Sequence, residues 1–150
     1  MANGLTPEQR AARIKVVEEH VHAENAHDID RIMATFGPRP TLTFNGTTFY
    51  GHASIRVCYE ALGFGGHQGG FADLRAEILH QHVSDEAITV EAMLRGTHTQ
   101  PWQGIAATGR EVALPACEIF VFDAEGKLAG KRVYGDSGLL LKQLGALPEA

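Results

Sequence analysis

The chain has 150 residues, 44% of them hydrophobic and 21% charged, and a formal net charge of −5. That length suits one domain with a core of its own over residues 1–150, and the acidic balance excludes the basic face that nucleic acid requires. No apolar run reaches the length of a membrane span, and Met1–Leu5 lacks a signal-peptide pattern. Cys58 and Cys117 stand apart with no zinc or redox spacing, so a cytoplasmic protein is expected.

Thr6-Pro7-Glu8-Gln9 reads as a capping box with proline at the first helical position. Ile14, Val17 and Val21 then recur at helical spacing, which predicts a helix over about residues 7–26. Asp28 can cap a second short helix carrying Ile29, Ile32, Met33 and Phe36, stopped by Gly37-Pro38-Arg39-Pro40. Thr41–Phe44 and Thr47–Tyr50 flank Asn45-Gly46, a hairpin signal. A third helix is expected over about residues 53–62, with Ile55, Tyr59 and Leu62 on one face. The glycine-rich stretch Gly63–Gly70 lacks the context and the Lys-Ser/Thr of a P-loop and reads as a connector or lid. Strands are expected near 73–83, 87–100, 111–123 and 127–136, followed by a short helix through Leu144. Helices first and then an antiparallel meander make an α+β layout.

The turn Asp123–Lys127 fits a three-residue hairpin loop with Gly126 left-handed. Pairing Asp123 with Lys127 places Phe120 opposite Gly130, Glu118 opposite Arg132, Ala116 opposite Tyr134, and Leu114 opposite Asp136. On the preceding strand Ile88, Val90, Ala92, Leu94 and His98 share an apolar face, which predicts that His98 and Asp136 look into one interior. Strand 111–123 is apolar on both faces, so alternation alone does not say which side points inward.

Asp136, between an apolar strand and a short helix, is either that helix's N-cap or an acid/base group. A carboxyl in an apolar cavity has a raised pKa and can exchange a proton near neutrality. His98 could orient it or hydrogen-bond a substrate carbonyl, and is otherwise a core histidine. Glu118 and Arg132 make a cross-strand ion pair, or Arg132 binds a substrate carboxylate or enolate. Tyr50, Tyr59, Trp102 and Tyr134 are candidates to line a pocket for a flat apolar ligand. His20/His22 and His80/His82 are two residues apart with no third ligand in view, so no metal is expected. No nucleotide or catalytic-nucleophile signature is present.

Phe44-Asn45-Gly46 with Tyr50-Gly51-His52, Gly96-Thr97-His98-Thr99, Trp102-Gln103-Gly104-Ile105, and Asp136 with Leu139–Gly145 together resemble the SnoaL-like polyketide cyclases of the nuclear-transport-factor-2-like superfamily. The resemblance spans about residues 10–146. It implies a cone-shaped, curved antiparallel sheet wrapped over the N-terminal helices, an apolar internal pocket, no cofactor, and a homodimer or higher homo-oligomer. It also implies acid/base catalysis by Asp136, with His98 lining the same pocket, in an intramolecular aldol ring closure of a small apolar carbonyl substrate. Gln100-Pro101 and Gly135 depart from the family pattern; a bulky residue is usual in place of Gly135, so either a wider cavity beside it or a freed Asp136 is expected. Epoxide opening in the same pocket is the alternative chemistry, by hydrolysis or to a cyclic ether, and a non-catalytic binding domain the alternative class. The fold hosts all three.

Overall fold

The computed structural model describes residues 4–66 and 68–147. The start Met1–Asn3, His67 and the last three residues of the expected 1–150 domain lie outside the described residues. Thr6 accepts from Gln9 N while Gln9 reaches back to Thr6 N, and this capping box opens helix α1, Pro7–Asn25. Asp28 caps α2, Ile29–Ala34, through Arg31 N. Strands β1 (Phe36–Phe44) and β2 (Thr47–Tyr50) form the hairpin, with Asn45 at φ 45° and Gly46 at φ 89° supplying the left-handed turn its strands require. Helix α3, Gly51–Leu62, follows at once. The meander is β3 (Arg75–Val83), β4 (Ile88–Thr97), β5 (Glu111–Phe122) and β6 (Leu128–Gly135), closed by α4, Ser137–Gln143.

The six strands form one sheet in the order β2-β1-β6-β5-β4-β3. Every pairing is antiparallel except β1 with β6. The expected all-antiparallel sheet is thus mixed, because β1 docks beside the last strand and the whole segment from α3 to β5 serves as the long crossover a parallel pair needs. Bulges interrupt β3 between Ile78 and His80 and the β5–β6 pair between Val121 and Phe122, and β1 is irregular between Phe36 and Thr41. Such irregularities bend strands and give the sheet its curve. The inner face and the helices enclose Val17, Ile32, Leu42, Ile55, Phe71, Val90, Leu94, Leu114 and Phe120. Asn25 closes the free edge of β3, donating to Ala76 O and accepting from Ala76 N at 2.9 and 2.7 Å.

The second bulge corrects the expected register. The turn forms as read, with Asp123 N donating to Lys127 O and Asp123 Oδ1 accepting from Glu125 N and Lys127 N. Val121 then pairs with Gly130 while Phe122 pairs with Leu128, leaving Ala129 as one extra residue in β6. A slip of one residue turns every later side chain to the other face. Glu118 therefore lies opposite Val133, Phe120 opposite Lys131, Ala116 opposite Gly135, and Cys117 opposite Tyr134. Lys131 and Val133 point inward and are buried; Arg132 and Tyr134 point out.

The glycine-rich stretch is a tight connector. Gly70 N and Phe71 N donate to Ala61 O and Leu62 O, and a Cβ on Gly63, at φ 137°, would sit 1.9 Å from Phe71 O. At Gly135 a Cβ would meet Leu114 Cδ2 at 3.1 Å, so Leu114 already fills the space where a wider cavity was expected. Asp136 caps α4 through Leu139 N at 2.9 Å. Replacing Asp136 with alanine should lower stability by about 1 kcal/mol, and asparagine, itself a good cap, by only a few tenths; urea unfolding of the two variants measures the difference.

Candidate active site

On α1 the residues at i, i+3, i+4 and i+7 from Val17 form one buried stripe: Val17, His20, Val21 and Glu24. Two of the four are polar, and they meet Lys131 of β6, Glu118 of β5 and Tyr59 of α3 in the interior. Lys131 Nζ donates to Glu24 Oε1 at 2.6 Å and lies 3.4 Å from Glu118 Oε2, with all three side chains almost fully buried. Nζ also reaches His20 Nε2 at 3.2 Å and the Tyr59 hydroxyl at 3.4 Å.

The histidine is a neutral bridge. Thr35 Oγ1 spends its proton on Ile32 O, so it accepts from His20 Nδ1–H at 2.8 Å. That leaves Nε2 as an acceptor for the Tyr59 hydroxyl at 2.9 Å and for Lys131. Burial, reinforced by the Lys131 charge, holds the His20 pKa below its usual value. The 3.0 Å contact of Nε2 with Glu24 Oε1 is therefore no ion pair; Lys131 donates to both atoms.

Two carboxylates share this single ammonium, and their surroundings drive them apart. Burial works against the Glu24 charge, but the Lys131 ammonium outweighs it and holds the Glu24 pKa well below the usual carboxylate range. Burial is also the largest influence on Glu118, where the neighbouring Glu24 charge adds to it, and the pKa is raised despite Lys131. Lys131 and Tyr59 both sit well above their ordinary values: the two carboxylates hold the proton on Lys131, and burial holds it on Tyr59. The result is a fixed Glu24–Lys131 pair beside Glu118, whose pKa is raised and whose buried Oε2 has no hydrogen-bond partner among the described residues. Carboxyl groups separated in this way divide naturally into acid and base roles.

Glu118, Lys131, Tyr59 and Glu24 line an inner void of about 20 Å³, room for one water or one substrate oxygen. Phe44, Cys58 and Leu62 line both this void and an outer cavity of about 340 Å³. Phe49, Val57, Pro101 and Trp102 add to the wall of the outer cavity, which is mainly apolar. In a polar cleft of about 370 Å³ at the strand ends several groups are already engaged. There Asp73 accepts from Thr97 N and Oγ1, Gln143 brackets Ala113, and Arg95 lies 3.7 Å from Glu77.

Of the residues singled out in the sequence, Glu118 and Tyr59 reach the inner void and Trp102 the outer cavity. Tyr50 is 73% exposed. Arg132 and Tyr134 lie on the outer sheet face, because the extra residue in β6 reverses their side, and the cation beside Glu118 is Lys131 instead of Arg132. Asp136 is exposed as the α4 cap. His98 is fully buried against Phe71, its ring stacked at 5.3 Å. Thr108 N donates to His98 Nδ1 at 3.3 Å, which puts the ring proton on Nε2, a buried atom without a hydrogen-bond partner. Neither Asp136 nor His98 is among the residues lining these two cavities. No group of three or more metal-ligating side chains occurs among the described residues. No described helix is long and apolar enough to cross a membrane.

The family model described as SnoaL-like domain matches residues 17–130. The chain is similar in structure to a protein from Jannaschia sp. CCS1 described as a SnoaL-like polyketide cyclase, with a TM-score of 0.82 and 19% identity over 98% of this chain and 100% of the other. It is also similar to AclR from Streptomyces galilaeus, described as a hydroxylase, with a TM-score of 0.79 and 22% identity over 94% and 89% of the two chains. A third, the epoxide hydrolase/cyclase-like enzyme SalBIII of salinomycin pyran-ring formation, gives 0.71 and 19% over 90% and 97%. At these identities the structures establish a shared fold. No curated protein sequence matches.

Replacing Lys131 with methionine leaves the Glu24 charge buried and unpaired. Stability should fall by about 3–5 kcal/mol, and Glu24→Gln added to Lys131→Met should restore most of it; a double-mutant cycle in denaturant measures both. The raised Glu118 pKa predicts stability that is fullest below the unfolded carboxyl pKa and declines as pH rises through the folded value. Glu118→Gln removes that decline, so thermal melts from pH 5 to 9 should show a flatter profile for the variant.

Proposed function

We propose that this chain, which belongs to the SnoaL-like domain family, is an acid/base cyclase that closes a ring in a small apolar carbonyl substrate by intramolecular aldol chemistry. The observation that carries this reading is the Glu118 carboxyl: buried, raised in pKa, its Oε2 without a hydrogen-bond partner among the described residues, lining the inner void beside a fixed ammonium.

The apolar body of the substrate occupies the outer cavity against Trp102 and Phe49, and one carbonyl oxygen enters the inner void. Lys131, held by Glu24, donates to that oxygen and stabilises the enolate as it forms, in a water-poor setting where a fixed charge acts strongly. Glu118 in its carboxylate form takes the proton from the carbon beside the carbonyl. Its raised pKa makes it a stronger base than an exposed glutamate. The enolate carbon then attacks the second carbonyl, one carbon–carbon bond forms, and Glu118 returns the proton to the new alkoxide. No atom is gained or lost. Folding the flexible substrate against the outer wall supplies the proximity that ring closure needs.

Epoxide opening is a second reading, favoured by the size of the inner void and its single-water capacity. Protonated Glu118 would donate to the epoxide oxygen while water, or a hydroxyl of the substrate, attacks the carbon and breaks the C–O bond; the attacking group's proton returns to Glu118.

Linear polycarbonyl and hydroxy-epoxide substrates presented in parallel separate the two chemistries. Glu118→Gln should lower kcat by roughly 10²–10⁴ with KM little changed, while Asp136→Asn should retain turnover. Loss of turnover in Asp136→Asn with activity kept in Glu118→Gln would transfer the acid/base role to the α4 cap and overturn the assignment.

A further inference from the structure

The walls of the inner void offer more hydrogen-bonding capacity than they consume. His20 Nε2 has a single lone pair, and two donors reach it, the Tyr59 hydroxyl at 2.9 Å and Lys131 Nζ at 3.2 Å. A change of tautomer does not relieve the contest, because Thr35 Oγ1, committed to Ile32 O, takes the Nδ1 proton. One of the two donors is therefore left with a proton to give. Its remaining outlet inside the cluster, from Lys131 to the Tyr59 oxygen, is 3.4 Å long and beyond the usual hydrogen-bond range.

Glu118 supplies the opposite capacity. Its Oε2 is buried, stands 3.4 Å from Nζ, and has no hydrogen-bond partner among the described residues. A buried acceptor left unbonded destabilises, and a ligand that brings it a donor removes that cost. Glu118, Lys131 and Tyr59 all line the same void of about 20 Å³, which holds one oxygen. That oxygen has to accept from Lys131 or Tyr59 and also donate to Glu118. A carbonyl, an ether or an epoxide only accepts; a hydroxyl does both.

Acidity and shape narrow the class. Burial raises the Glu118 pKa, so its carboxylate is a stronger base than an exposed one, and a fixed ammonium and phenol beside it stabilise an oxyanion. A hydroxyl on an unsaturated carbon, as in a phenol or an enol, is acidic enough to give up its proton there; an aliphatic alcohol is not. Phe44, Cys58 and Leu62 line both the void and the outer cavity, and Phe49 and Trp102 add flat apolar wall outside. Cys58 is the smallest of the three shared residues, so a planar ring in the outer cavity reaches the void beside it.

We infer that the inner void is a binding site for the acidic hydroxyl of a planar phenol or enol, which gives its proton to Glu118 and is held as an oxyanion by Lys131 and Tyr59. One O–H bond breaks on the ligand and one forms on the Glu118 carboxylate. The negative charge passes from Glu118 to the ligand, so the charge of the cluster is unchanged and no further reactant is needed. The Tyr59 hydroxyl turns from His20 Nε2 to the ligand, and Lys131 keeps Nε2. His20 is thus a positioning residue. The inference rests on Glu118 as the acid/base group proposed above, and the enolate oxygen of the ring closure occupies the same place.

Calorimetric titration with β-naphthol and with its methyl ether, together with the ultraviolet spectrum of the bound naphthol at neutral pH, tests the inference. The naphthol should bind about tenfold tighter or more, because the ether brings no donor to Glu118, and it should show naphtholate absorption. Glu118→Gln should abolish that absorption and remove most of the preference. Tyr59→Phe should lower the ionised fraction while Glu118 still accepts the proton. Circular dichroism confirms that the variants fold. Equal affinity for naphthol and ether overturns the inference, and so does a bound naphthol that stays neutral or whose ionisation ignores Glu118→Gln. Turnover is not involved: a naphtholate formed in a chain inert toward polycarbonyls and epoxides keeps the inference and removes the cyclase. Turnover that Glu118→Gln abolishes, with no preference for the naphthol, does the reverse.

Discussion

Lys131 between Glu24 and Glu118 is the interaction on which the rest of the molecule is organised. The three charges come from β6, α1 and β5, and the neutral partners His20 and Tyr59 come from α1 and α3. Helix layer and sheet are thus joined at one polar point inside an otherwise apolar core. Burying ions costs several kcal/mol each before pairing offsets it, so the apolar packing around Phe120, Val17 and Ile55 must supply the net stability. What the cluster adds is position: an α1 rotated by one residue would leave Lys131 without Glu24.

The same arrangement gives the interior an electrical asymmetry. The outer cavity is apolar and the floor is charged, with one carboxyl that exceeds what a single cation can neutralise. The fold by itself does not choose a reaction, as the differently described proteins that share it illustrate. The identity and spacing of the floor residues make that choice, and here the floor is glutamate, lysine and tyrosine.

Much of the fold was legible in local chemistry. The Thr6–Gln9 capping box, the Asn45-Gly46 hairpin and the Asp123–Lys127 turn all form as their residues require. Two features were not. The β1–β6 pairing joins residues far apart in sequence and leaves no local signal, and the extra residue at Ala129 obeys no turn rule that precedes it. That one residue moved Arg132 out and Lys131 in, so Glu118 was found with the wrong cation. His20 reads in the sequence only as half of a His20/His22 pair, and Glu24 gives no apolar signal, although their spacing from Val17 places both on its buried stripe. Lys131 shares the face of Val133 and could have been found by alternation once the bulge was allowed. Asp136 was legible as a cap, which is how the structure uses it.

The parallel contact of β1 with β6 has a bearing on how the chain acquires its shape. Leu42 meets Lys131, and Phe44 meets Val133, partners 89 residues apart in sequence. During synthesis the β1–β2 hairpin emerges early and can pack on α2 and α3, but the other edge of β1 has no strand to pair with until the final strand leaves the ribosome. The meander from β3 to β5 can pair as it appears, but the two halves of the sheet unite only at the end. Contacts of such long range slow folding, and the unpaired β1 edge stays exposed throughout the wait, which makes the nascent chain most vulnerable to misassembly just before its last strand arrives.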